Sequence, residues 1–223
     1  MADKTKARVV YYGLDPKADF WANQIEGLGL DGIRFQIHHQ KDVIPLRLPM
    51  IGRHSVQTAL RAAAVGISAG LDWQEIINGL RHTPAQLRLV TVRTESGALI
   101  LDDSYNSTPE SALAALNLLN EINGYKIAVL GDMLELGMYE QQGHEKVGIR
   151  AAEIVDELIT VGKRAHIIAQ TASQNGLARE RITEFEDSQQ VIEFLRNRLS
   201  ENNVLLVKGS RAMRMEKIVT ALE

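Results

Sequence analysis

The feature that most constrains this chain is its rhythm after Leu87, where short apolar runs alternate with longer stretches of helical spacing. Val90 to Arg93 and Ala98 to Leu101 read as strands around the turn Ser96-Gly97. A helix is predicted from Pro109 to Asn120, with Thr108 as its cap and Pro109 at the first helical position, where a missing N–H costs nothing. Strands Ile127–Leu130, Leu158–Val161, Ile182–Phe185 and Val204–Val207 follow. They are interleaved with helices Gln141–Ile154, Arg164–Gln174, Ser188–Leu199 and Ala212–Leu222. Strands separated by helices are joined by crossovers, so this order predicts an α/β fold with a mainly parallel sheet. Ligands of such sheets gather where strands end at their carboxyl edges, here the loops after Leu101, Leu130, Val161 and Val207.

Upstream the pattern differs. Val9 to Tyr12 reads as a short strand stopped by Gly13, and Ile33 to His38 alternates as a half-buried strand does. Leu46 to Ile51 is a third candidate, with Pro49 marking an edge or an end. From Ser55 to Ala69, Val56, Leu60, Ala63, Ala64 and Ile67 recur at helical spacing, and a second helix is predicted over Trp73 to Leu80 with Asp72 as N-cap. Arg81 to Gln86, containing Pro84, is the linker candidate. The expected division is therefore residues 1–84 and 85–223, and 45% hydrophobic content is enough for two cores.

Charge and composition narrow the function classes. Lys and Arg number 25 against 28 Asp and Glu, a formal charge of -3, with no basic stripe interleaved with aromatics, so nucleic acid is not an expected partner. The absence of cysteine excludes disulfides, thiolate metal sites and cysteine nucleophiles. The start Met1-Ala2-Asp3-Lys4-Thr5-Lys6 lacks a signal-type apolar run, and no segment approaches the ~18–20 apolar residues of a membrane span. The expectation is a cytoplasmic protein without membrane insertion.

Three strand-end loops carry unusual chemistry. Asp102-Asp103-Ser104-Tyr105-Asn106 offers two carboxylates, a phenol and an amide, suited to hydroxyls, amides or phosphates. A polar cap and turn uses the same residue types. Gly131-Asp132-Met133-Leu134-Glu135-Leu136-Gly137 puts an acid directly after a strand and a glycine, although a tight turn explains the glycines equally. His144, alone on its helix, is expected to be solvated or capping. Lys208-Gly209-Ser210-Arg211 places two cations and a hydroxyl at a predicted helix N-terminus, a natural seat for phosphate or carboxylate, with a solvated basic turn as the alternative.

Taken in order, Asp102-Asp103-Ser104-Tyr105-Asn106-x-x-Pro109-Glu110-Ser111, Leu130-Gly131-Asp132-Met133-x-Glu135-Leu136-Gly137, His144-x-x-x-Gly148 and Lys208-Gly209-Ser210-Arg211 resemble the Mur ligase family of ATP-dependent peptide ligases. Gly52-Arg53-His54-Ser55-Val56 and Leu87-Arg88 fit upstream motifs of the branch that adds D-alanyl-D-alanine to UDP-N-acetylmuramoyl-tripeptide. The resemblance implies a UDP-substrate domain, a central ATPase domain and a C-terminal Rossmann-like domain. It also implies an acyl phosphate made with ATP and Mg2+. Residues 1–84 would then be the α/β tail of the central domain, and the other domains would be partners absent from this sequence.

By the same resemblance Arg88 reaches the ATP phosphates and His54 lies near adenine. Asp103 accepts from ribose hydroxyls, and Tyr105 and Asn106 line the nucleotide side. Asp132, Glu135, Lys208, Ser210 and Arg211 surround the incoming dipeptide or the acyl phosphate, and Arg88 and Lys208 are the catalytic candidates. Two departures stand out. The family's His-Asn-x-x-Asn is His54-Ser55-Val56-Gln57-Thr58 here, and no Gly-x-x-x-x-Gly-Lys-Ser/Thr occurs, since Gly162-Lys163 is followed by Arg164. The chain alone is therefore expected to be inactive and to bind no cofactor tightly. No residue is assigned to a metal. A non-catalytic binding module and a sister ligase with another amine substrate remain open.

Overall fold

The computed structural model describes residues 4–50, 52–53, 55–82 and 90–223, which fall into two compact units, Met1–Ala85 and Gln86–Glu223. In the first unit a four-stranded sheet has the order β1 (Tyr12–Gly13), β2 (Phe20–Gly27), β3 (Ile33–His39), β4 (Asp42–Leu48). β1 is parallel to β2, and the other pairs are antiparallel. Period-two alternation sends Ile33, Phe35 and Ile37 of β3 to one face, where they bury with Phe20, Leu46 and Leu48 against Val56, Ala59, Leu60 and Ala63 of α1 (Ser55–Ser68). α2 (Trp73–His82) adds Ile76 to this core. Asp72 accepts from the Glu75 amide at 2.8 Å while Glu75 Oε2 accepts from the Asp72 amide at 2.9 Å, a reciprocal cap.

Several sequence expectations move here. The Val9–Tyr12 strand is reduced to Tyr12–Gly13, and the third strand runs from Asp42 to Leu48 with Pro45 inside it. Pro45 is tolerated because β4 is an edge strand. β2 escapes the sequence reading because its pairing register shifts between Asn23 and Glu26, with Gln24 at φ +49, so its alternation is broken. Ile51, His54 and residues 83–89, hence most of the predicted linker and Arg88, lie outside the described residues.

The second unit is a six-stranded sheet in the order β5 (Val90–Arg93), β6 (Leu99–Asp103), β10 (Asn203–Lys208), β7 (Tyr125–Gly131), β8 (Glu157–Val161), β9 (Ile182–Phe185). Only β5 is antiparallel, so the sheet is mainly parallel, as its crossover rhythm requires. Of three helices, α3 (Pro109–Glu121), α4 (Glu140–Ile154) and α5 (His166–Gln174), α4 packs against both others, while α3 lies on β7 and β10 and α5 on β8 and β9. The others, α6 (Ser188–Leu195) and α7 (Glu216–Leu222), share a core with the sheet through Val191, Leu195, Met215 and Ile218 against Ile100, Val129, Ile159 and Val207. Thr108 caps α3 as expected, accepting from the Ser111 amide, while Ser111 Oγ accepts in return from the Thr108 amide.

α6 ends four residues early, and the chain beyond it turns so that Arg198 reaches Glu157 at 3.1 Å and lies over the Phe194 ring. Among the described residues no helix is long and apolar enough to cross a membrane.

Candidate functional site

β6, β10 and β7 are neighbours, and Lys208 at the end of β10 stands opposite Asp103 on one side and Leu130 on the other. The topology therefore brings the three chemically unusual loops together at one carboxyl edge, although more than 100 residues separate Asp103 from Lys208. The strand pleat sends Asp102 and Asp103 to opposite faces. Asp102 Oδ1 accepts from the Ser104 amide at 3.0 Å and steadies the first loop.

Lys208 Nζ donates to Asp103 Oδ2 at 2.6 Å and to the Asn106 carbonyl at 2.8 Å, with side-chain exposures of 1% for Lys208 and 15% for Asp103. Asn106 itself is exposed, and its side-chain oxygen accepts from the Ser107 amide. Tyr105 is exposed, and Arg211 covers it, with the guanidinium carbon 5.2 Å from the ring centroid and NH1 3.3 Å from the phenol oxygen. Tyr105 and Arg211 open onto a cleft of about 650 Å³ lined also by Asp102, Ser104, Ala212, Arg214 and Glu216. Two carboxylates and two guanidiniums around an aromatic face suit a polar ligand with hydroxyl or anionic groups better than an apolar one.

The loop after β7 is held from several sides. Asp132 is buried, and its Oδ1 accepts from the Arg164 and Ala165 amides at 2.9 and 2.7 Å, tying the loop to the start of α5. Gly162, at φ +99, has no room for a side chain, since a Cβ there would lie 2.6 Å from Asp132 Oδ1. Arg164 is anchored by Glu140 at 2.8 Å; this hydrogen bond and the charge behind it raise the guanidinium pKa further, so its charge is constant at any working pH. Ser210 is buried too, its Oγ accepting from the Leu134 amide at 2.8 Å. Glu135 is exposed at φ +64, a left-handed conformation unusual for this residue.

Two expectations are corrected. Lys208-Gly209-Ser210-Arg211 does not open an α-helix. Arg211–Met213 form a single 3-10 turn, Arg214 takes φ +53, and α7 begins only at Glu216. Gly209 instead permits close packing, since a Cβ on it would lie 2.8 Å from Met215 and 3.3 Å from Gly131 Cα. His144 is neither solvated nor a cap, being fully buried. The sequence held a signal for this, because His144, Val147, Gly148 and Ala151 recur at the helical core spacing. His54 and Arg88 lie outside the described residues. Among the described residues no three His, Asp or Glu groups converge as metal ligands would.

A parallel sheet with its polar loops gathered on three adjacent strand ends defines a class, and the family model "Mur ligase, glutamate ligase domain" matches residues 87–211. The chain belongs to the Mur ligase family. It is 37% identical over 210 residues to the UDP-N-acetylmuramoyl-tripeptide–D-alanyl-D-alanine ligase of Escherichia coli K12, covering 92% of this chain and 45% of that one. The ligase of the same name from Bacillus subtilis 168 is 32% identical over 179 residues, 78% of this chain and 39% of its own length. A crystal structure of MurF from Acinetobacter baumannii superposes with a TM-score of 0.80 at 30% identity, covering 96% of this chain and 46% of that one. The chain thus spans about half the length, or less, of the curated relatives it matches.

Proposed function

We propose that this chain forms the carboxyl-terminal portion of a ligase that joins D-alanyl-D-alanine to UDP-N-acetylmuramoyl-tripeptide in peptidoglycan synthesis. The observation that carries the reading is the Asp103–Lys208 pair, which ties the Asp-Asp-Ser-Tyr-Asn loop to the Lys-Gly-Ser-Arg loop beside an open polar cleft. In this reading the unit up to Ala85 is the end of the central ATPase domain and the unit from Gln86 is the C-terminal domain. ATP, held with Mg2+ by the whole enzyme, supplies the phosphoryl group that activates the tripeptide carboxylate.

This chain's own residues bind and orient. Lys208 fixes the Asp103 carboxylate, and that strand end, with Tyr105 and Asn106, faces the nucleotide. By the family resemblance Arg88 is assigned to the ATP phosphates and His54 to adenine. Asp132 and Ser210 are engaged within the fold and support the loop that they join. Direct contact with the incoming dipeptide or the acyl phosphate then falls to exposed Glu135 and Arg211. Held close and oriented, a neutral amine gains most of what it needs to attack an activated carboxyl.

The test is a fusion of this chain to the amino-terminal half of the Escherichia coli relative. The fusion is expected to ligate D-alanyl-D-alanine, and the isolated 223-residue chain to ligate nothing. Turnover by the isolated chain overturns the reading. So does a folded fusion that prefers a single amino acid, which marks a sister ligase, or one that binds both substrates without turnover, which marks a non-catalytic module.

A further inference from the structure

His144 is a fully buried histidine to which the proposed function gives no part, and the identity of its partners settles its proton. Nε2 lies 3.1 Å from the Met133 amide, which can only donate, and Nδ1 lies 2.7 Å from the Glu140 carbonyl, which can only accept. The ring is therefore the neutral tautomer with its proton on Nδ1. His144 does not act alone. The Asp132 amide donates to the Val161 carbonyl at 3.1 Å, the Met133 amide to His144 and the Leu134 amide to Ser210 Oγ at 2.8 Å. Three successive N–H groups are thus taken by three different segments, the end of β8, α4 and the loop after β10. The Ser210 amide closes the ring by donating to the Asp132 carbonyl at 3.0 Å. The next residue is Glu135, exposed and in the left-handed region.

We infer that His144 is a positioning residue. With Ser210 it clamps the Met133 and Leu134 amides and so sets the conformation from which Glu135 presents its carboxylate. Strain at a side chain reaching solvent persists only where its surroundings over-determine it, and three anchors on three consecutive amides provide that. The use of Glu135 toward the dipeptide rests on the proposed function; the clamp itself does not.

Two substitutions separate the ring's two ends. In His144→Gln the side-chain oxygen reaches the Nε2 position and accepts from Met133, while His144→Asn stops near Nδ1 and leaves the Met133 amide without an acceptor. In the 223-residue chain, amide hydrogen exchange at Met133 is expected to speed up roughly tenfold or more in His144→Asn and to stay near wild type in His144→Gln. The Glu135 amide resonance is expected to move in the first variant only. A long-range proton–nitrogen spectrum of the wild type is expected to show His144 protonated at Nδ1. Equal Met133 exchange in the two variants, an unmoved Glu135 resonance in His144→Asn, or a proton on Nε2 overturns the inference. Should the exchange and resonance pattern hold while the ligase fusion fails to use D-alanyl-D-alanine, the functional reading falls and the clamp stands.

Discussion

At 1% exposure the Lys208 ammonium has lost nearly all its water, and the Asp103 carboxylate and the Asn106 carbonyl stand in its place. Such a pair holds geometry more than it adds stability, because desolvation offsets most of the attraction. Removing one partner is another matter, since the charge left behind keeps its desolvation and loses this attraction. Lys208→Met is expected to lower unfolding free energy by about 3 kcal/mol in urea titrations, and Asp103→Asn combined with Lys208→Met to cost clearly less. Additive losses would show that the two groups are not coupled. The sequence named both residues but could not pair them, because residues 103 and 208 meet only once β10 lies beside β6. The resemblance places Asp132 and Ser210 near the ligand; that each also accepts from backbone amides is visible only in three dimensions.

The elements of the second unit were largely legible, because buried strands of a parallel sheet are short apolar runs and each helix is set off by a turn or cap. Thr108 shows how local the information is: the hydroxyl, the proline after it and Ser111 write the start of α3 within four residues. Thr108→Ala is expected to lower unfolding free energy by about 1 kcal/mol, seen as a small fall in the thermal midpoint; no change would mean that Ser111 alone suffices. Where the reading failed, backbone geometry had overridden pattern. The bulge at Gln24 broke the alternation of β2, and the left-handed turn at Arg214 delayed α7 behind a segment whose composition is helical.

For the molecule as a whole, residues 86–223 carry both the family match and the three strand-end loops, whereas the first unit is read through its similarity to longer ligases. The order of the six-stranded sheet has a consequence for how the chain comes into being. β10 is the last strand of the sequence, yet it lies between β6 and β7. A ribosome must release everything from β6 through β10 before those two strands gain their shared neighbour, and until then both present unsatisfied edges. A chain ending at Asn202 is expected to show no cooperative melting of the second unit by circular dichroism, while the helices and sheet of the first unit still melt. A cooperative transition of the shortened second unit would refute that order of events. Synthesis thus delivers Lys208 after both of the strands it joins, and the pocket beside it can take shape only then.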